Sequence, residues 1–214
     1  MPSSLLKLPE FRAFLFANTI ERFSASGMTV LLGFQVYELT RNPLDLGLLG
    51  LMEAVPGIGL VLFGGHFADI LSRRRMLIVT IGMLAFLSGS LSLLSGLKIL
   101  GLHYFIYLVG FVSAGVRAFQ SPAATGLEAQ ILPEGRVIEG VPIIATCART
   151  ADVIGPVGSG FFWAYYGGSF TYALLAILFL ISTLTIHFGI SEKVYARSLN
   201  SGIGIFERIR EGIR

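Results

Sequence analysis

The chain has 214 residues, of which 54% are hydrophobic and only 14% are charged, and its mean hydropathy is +0.76. A soluble domain usually carries about 25% charged residues, so this composition predicts a protein that lives in lipid. Its single cysteine excludes an intrachain disulfide framework, and its three histidines have no metal-ligand spacing. We therefore expect no metal, no cofactor and no enzyme activity.

Six apolar stretches are long enough, or nearly so, to cross about 30 Å of hydrocarbon as helices. The first runs far past the apolar core of a signal peptide, so we interpret it as a span. Turn residues, a basic loop at 72–75 and the Gly167-Gly168 pair separate the stretches, and the longest internal loop is expected at about 121–137. The predicted fold is all-α. Its six transmembrane helices lie at 12–37, 45–68, 76–97, 102–121, 138–165 and 169–190, between an N-terminus at 1–11 and a tail at 191–214.

Lysine and arginine are distributed unevenly between the two sides of this predicted bundle. With the N-terminus inside, twelve of the sixteen lie on the cytoplasmic side, while Arg41 and Lys98 lie outside and Arg22 and Arg149 lie within spans. Cationic loops remain in the cytoplasm, so we predict a bacterial inner-membrane protein with both termini cytoplasmic, and the net charge of +3 requires no nucleic acid. The cytoplasmic set is Lys7, Arg12, Arg73, Arg74, Arg75, Arg117, Arg136, Lys193, Arg197, Arg208, Arg210 and Arg214.

The tail has a different pattern from the spans. Ile205, Ile209 and Ile213 recur every four residues, and charged residues occupy the opposite face. This pattern predicts an amphipathic helix over 204–214 that lies on the membrane surface. A frayed polar tail is the alternative.

Five charged residues lie inside the predicted spans, where each costs about 2.5–3.5 kcal/mol near the bilayer centre. At about 1.5 Å per residue, three of them fall near the midplane. Asp152 lies one helical turn beyond Arg149 on the same face. We interpret the three acids and two bases as the lining of a substrate or proton pathway; static ion pairs between helices are the alternative. The five are Glu21, Arg22, Glu53, Arg149 and Asp152.

Proline and glycine occur at matching places in two of the spans. Glu53 precedes Pro56 in the second span, and Asp152 precedes Gly155 and Pro156 in the fifth. An acid three residues before a helix break, in the second helix of each three-helix unit, is typical of a 3+3 inverted repeat around a central site. Chance is the alternative, since both residue types are common in membrane helices.

The loop after the second span resembles the signature G-x-x-x-D-R-x-G-R-R/K of the major facilitator superfamily. It departs at two positions, where isoleucine and serine replace the usual arginine and glycine. Together with Arg117-Ala118-Phe119 before Pro122 and the features of spans two and five, it is similar to the drug- and siderophore-exporter branch that includes enterobactin exporters. The resemblance covers about residues 8–190. The matching loop residues are Gly65, Asp69, Arg73 and Arg74.

The resemblance implies a mechanism. Asp69 would present its carboxylate to a helix N-terminus in a partner half, where the helix dipole favours an anion, and Arg73 and Arg74 would organise that gating contact. The antiporter motif of the superfamily is matched in part by Gly155-Pro156-x-x-Ser159-Gly160, with Ala151 at a usual glycine, which favours coupling to protons.

Members of this branch have twelve spans in two six-helix bundles, with the substrate between them. The resemblance therefore implies that this chain is the N-terminal half of an efflux transporter that exports small amphipathic compounds by alternating access. Its partners would be substrate, protons, membrane lipid and a C-terminal half from the same gene, a split gene or a second copy. The alternative is a non-transporting membrane partner, or the remnant of a split transporter gene. An intramembrane hydrolase is disfavoured because no nucleophile motif accompanies His103 or His187.

Overall fold

The structure, a computed structural model, describes residues 2–70, 72–97, 101–133 and 135–191, without the side chains of 2–4 and 61–70. The described residues are all-helical and contain no strand, which confirms the predicted class. A 3-10 helix at Pro2–Lys7 precedes α1. The α-helices are α1 (Pro9–Thr40), α2 (Pro43–Ile70), α3 (Arg73–Leu97), α4 (Leu102–Ile131) and α5 (Val137–Gly189). The predicted surface helix at 204–214 lies outside the described residues.

Four of these helices are long and apolar enough to cross a membrane. Within the described part of the chain, the stretches that qualify are Pro43–Leu60, Arg73–Leu97, Leu102–Ile131 and Val137–Gly189. α1 is also long, at 32 residues, but Glu21, Arg22 and Glu38 make it more polar. The bundle presents large apolar side chains outward, including Phe86 and Phe188, as expected where the surrounding solvent is lipid.

α5 turns back on itself at Gly167. The backbone of this residue is not helical, with φ 79° and ψ 175°. Glycine adopts this positive φ without the steric cost that a side chain would impose. The rings of Trp163 and Tyr172, on either side of the turn, lie 5.9 Å apart. A straight helix would separate residues nine positions apart by about 13 Å, so the two segments of α5 fold against each other.

The two segments of α5 run in opposite directions along α1. In the first segment, Gly155 packs against Phe23, and the ring of Trp163 lies edge-on to that of Phe34 at 5.8 Å. Residue numbers therefore increase in the same direction along α1 and along this segment. In the second, the Ser182 hydroxyl donates to the carbonyl of Ala17, and Gly189 packs against Ala13. The first segment is therefore parallel to α1 and the second antiparallel.

Serine hydroxyls link α3 to the second segment of α5. Ser92 and Ser169 donate reciprocally to each other's carbonyl oxygens, at 2.7 and 2.6 Å. One turn deeper, Ser88 donates to the carbonyl of Tyr172 at 2.8 Å. Small side chains and hydroxyls of this kind hold membrane helices together where no hydrophobic force acts between them.

Most described arginines lie at one end of the bundle. Arg74 at the start of α3 donates to the carbonyl of His187 near the end of α5, and the Ser191 amide donates to Glu10 at the start of α1. These contacts bring the basic helix ends together, while Arg41 caps α1 at the opposite end. The cations at the basic end are Lys7, Arg12, Arg73, Arg74, Arg75 and Arg136.

Two sequence-based expectations need correction. α4 does not end near residue 121 but continues through Pro122 to Ile131, so the long loop is shorter, and Arg117, which was counted with the cytoplasmic cations, lies near the middle of the helix. α2 and α5 likewise run through Pro56 and Pro156 without the expected break. In membrane helices, neighbouring helices and local adjustments satisfy the backbone groups that a proline frees, so the helix continues.

Candidate central charge cluster

Arg117 anchors a polar site inside the bundle. It lies near the middle of the 30-residue α4, and it reaches across to the middle of α1. Its Nη1 donates to the Thr29 hydroxyl at 2.7 Å, and its Nη2 approaches the carbonyl of Ala25 at 3.4 Å. Thr29 in turn donates to the same carbonyl at 3.1 Å. The backbone and hydroxyl of α1 thus hold the guanidinium at mid-depth.

Glu53 of α2 faces this guanidinium across an open cavity. The cavity has a volume of about 710 Å³ and lies between α2 and α4. Arg117 and Glu53 attract each other electrostatically. The Glu53 side chain lies beside Gly110 of α4, where a Cβ would be in ordinary contact with its Cγ at 3.6 Å. The cavity lining comprises Gly50, Glu53, Ala54, Gly57, Ala114, Arg117, Ala118, Ser121 and Pro122.

Glu21 is the most buried charge in the site, with 5% of its surface exposed. It interacts with Gln120, one turn along α4 from Arg117, and is attracted by Arg22 and Arg117. Asp152 of α5 is near enough to repel it. An uncompensated carboxylate at this depth would be very costly, and Gln120, Arg22 and Arg117 each lower part of that cost.

The structure brings Glu21, Glu53 and Asp152 within electrostatic range of one set of neighbours, whereas Arg22 and Arg149 are exposed. We define the central cluster as the residues that interact electrostatically across α1, α2, α4 and α5. Arg149 lies at its edge: its side chain is 85% exposed, and it pairs with Asp152 at 3.6 Å. Arg22 is also exposed. The central cluster comprises Glu21, Arg22, Glu53, Arg117, Gln120 and Asp152.

The central cluster is charge-balanced only when Arg117 is included. With Arg149 at its edge, it holds three acids and three bases. Three buried polar atoms still lack a hydrogen-bond partner within the described part of the protein: Glu53 Oε1, Arg117 Nε and Gln120 Oε1. Each such atom costs about 1–3 kcal/mol, which a bound polar group offsets.

The basic loop contributes contacts at one end of the bundle. Arg73 donates from Nη1 to the carbonyl of Gly126 at 2.7 Å, and Arg74 contacts α5 as described above. Gly65 and Asp69 belong to the part of α2 whose side chains are outside the described residues, so the carboxylate contact remains a prediction.

A family model for transmembrane secretion effectors, within the major facilitator superfamily, matches residues 2–214. The chain belongs to this family. It is therefore a multi-pass membrane protein of the transporter type, with a small-molecule substrate and lipid around it. No curated protein matches the chain.

Sequence reasoning missed two candidates for the central cluster, Arg117 and Gln120. Arg117 was counted with the cytoplasmic cations although the predicted span 102–121 contained it, and the run from 102 to 131 carries no other charge before Glu128. In the described residues, no group of three His, Cys, Asp or Glu side chains could hold a metal ion.

Proposed function

We propose that this chain exports small amphipathic compounds, of the drug or siderophore type, by alternating access coupled to the proton gradient. It would act as the N-terminal half of a twelve-helix transporter whose second half comes from the same gene, a split gene or a second copy. The observation that carries the proposal is the Glu53–Arg117 pair facing a cavity of about 710 Å³ at mid-depth in an apolar bundle.

The charge arrangement supports a coupled pathway. Carboxylates inside membrane proteins act as proton carriers, and a guanidinium between two of them can favour the charged form of either. In this proposal, Arg117 compensates Glu21 and Glu53, while Asp152 and Arg149 extend the pathway towards the outside of the bundle, beside Arg22. Protonation of Glu53 would release Arg117 to bind the anionic part of a substrate.

The fold supports six crossings in two units of three. The turn at Gly167 and the opposite directions of the two α5 segments fit a fifth and a sixth span. The Arg-rich end would then be cytoplasmic, with both termini there, because cationic loops are retained inside. Arg73 and Arg74, with Gly65 and Asp69, would form the gate at that end.

The experiment that tests the proposal measures probe accumulation in cells that carry or lack the gene. Deletion should raise the accumulation of ethidium or a catecholate siderophore, and a protonophore should remove the difference. The wild-type gene should restore export, whereas Glu53→Gln should insert in the membrane to the same level without restoring it. Unchanged accumulation of every probe after deletion would favour a non-transporting membrane partner instead.

A further inference from the structure

A second cavity, of about 1020 Å³, lies at the basic end of the bundle between α2, α3, α4 and the end of α5, and no residue of the central cluster lines it. Its wall includes Val79 and Met83 of α3 and Phe111 of α4, whose side chains are 66%, 44% and 40% exposed. Large apolar side chains exposed on a membrane helix face lipid rather than water. We name this cavity the lateral groove.

The mouth of the lateral groove is basic. Arg73, Arg74 and Arg75 at the start of α3 line it, together with Gln130 near the end of α4. Arg73 uses one N–H on the carbonyl of Gly126, and a guanidinium carries five. Arg75 is exposed. The mouth therefore presents positive charge and hydrogen-bond donors directly beside an apolar wall.

The dimensions of the lateral groove fit one leaflet of a bilayer. From Arg73 to Met83 the groove follows α3 for about 15 Å at 1.5 Å per residue. Half of the hydrocarbon core of a bilayer is also about 15 Å thick. An acyl chain lying along Val79, Met83 and Phe111 would therefore place its headgroup at the arginines.

We propose that the lateral groove binds an anionic phospholipid, with its phosphate at Arg73–Arg75 and an acyl chain against the apolar wall. Basic pockets between membrane helices select anionic headgroups through charge, and the acyl chain supplies affinity that a soluble anion lacks. The proposal does not depend on the central cluster, because none of its residues lines the lateral groove.

The test uses the full chain in neutral detergent and native mass spectrometry of bound lipid. Phosphatidylglycerol should bind in preference to phosphatidylcholine of the same chains, and glycerol phosphate should not displace it. Equal binding of the two lipids, or displacement by glycerol phosphate, would overturn the proposal. A phosphatidylglycerol with six-carbon chains should bind more weakly than the long-chain form; equal binding would exclude the acyl groove.

Two variants locate the site, each with a matched control. Arg75→Gln should lower the preference for phosphatidylglycerol about fivefold, while Arg41→Gln at the opposite end should not. Met83→Trp should fill the groove and lower binding similarly, while Phe86→Trp, exposed on the same helix but outside the groove, should not. Full preference in either Arg75→Gln or Met83→Trp would place the lipid elsewhere; thermal midpoints without lipid check that each variant is folded.

Discussion

Arg73 packs across the backbone of Gly126, so closely that a Cβ on Gly126 would lie 2.5 Å from its Nε, while its Nη1 bonds the Gly126 carbonyl at 2.7 Å. Gly126→Ala should therefore dislodge Arg73. Loss of a charged hydrogen bond costs about 1.5–3 kcal/mol, and alanine in a helix returns about 0.5–1 kcal/mol, so the net loss should be about 0.5–2.5 kcal/mol. Thermal unfolding in detergent measures it.

Gly82→Ala is the matched control for that variant. Gly82 lies within α3, and a Cβ there meets nothing within 4 Å. Its substitution should leave the thermal midpoint unchanged or raise it slightly. Equal midpoints for Gly126→Ala and wild type would mean that the contact between Arg73 and Gly126 contributes nothing to the stability of the bundle.

The contact of α1 with α5 predicts opposite effects at two glycines of one helix. A Cβ on Gly155 would collide with the backbone carbonyl of Phe23 and the hydroxyl of Ser26, whereas one on Gly160 meets nothing within 4 Å. Gly155→Ala should destabilise the bundle by about 1–3 kcal/mol, because a backbone atom cannot move aside. Gly160→Ala should be neutral or stabilising, and a reversed order in detergent unfolding midpoints would contradict the packing.

Gly155 also shows what the sequence could and could not provide. Hydropathy and positive charge predicted an all-helical membrane protein with basic helix ends, because both signals depend on local composition. The motif around Gly155 was read as a helix break, yet in the structure this residue serves close contact between α1 and α5. The positions of proline and glycine in a sequence do not show which neighbouring helix packs against them, or whether that helix forms hydrogen bonds with the backbone groups that a proline leaves free.

The candidate site also shows which features could not be predicted from the sequence. Counting residues from a span end gives depth, and Glu21 and Glu53, counted to similar depths, both lie within electrostatic range of Arg117. It gives no information on which way a side chain faces, so Arg149 was expected beside them although it is 85% exposed. Arg117 was missed because it was counted with the cytoplasmic cations near the end of the fourth span, whereas α4 continues to Ile131.

Burial predicts that Arg117 and Arg149 differ as stabilising residues. Arg117→Ala would remove the hydrogen bond to Thr29 and leave Glu21 and Glu53 without a shared cation, and the lost charged hydrogen bond alone costs about 1.5–3 kcal/mol. Arg149→Ala removes an exposed pair worth about 0–1 kcal/mol. The thermal midpoint should thus fall markedly for Arg117→Ala only. An equal fall would show that Arg149 is as structural as Arg117.

A transport assay distinguishes a pathway role of Arg149 from a purely structural one. If the residue lines the pathway, Arg149→Ala should lower the export of ethidium about tenfold or more while the protein remains folded and inserted; this magnitude corresponds to about 1.4 kcal/mol in the barrier. Thr150→Ala, on the exposed neighbouring position, is the control and should export at the wild-type rate. Wild-type export by Arg149→Ala would remove the residue from the pathway.

The turn at Gly167 makes a prediction about topology that single cysteines can test. In a Cys147→Ser background, Tyr166→Cys and Arg41→Cys should both react with a membrane-impermeant maleimide in intact cells, because six crossings place both turns outside. Tyr166 is 62% exposed beside the turn, so its replacement leaves Gly167 and the positive φ intact. Arg75→Cys, at the basic end, should react only after lysis. A Tyr166→Cys protein that reacted only after lysis, or an Arg75→Cys protein that reacted in intact cells, would contradict this topology, because each of these positions would then lie on the opposite side of the membrane from Arg41.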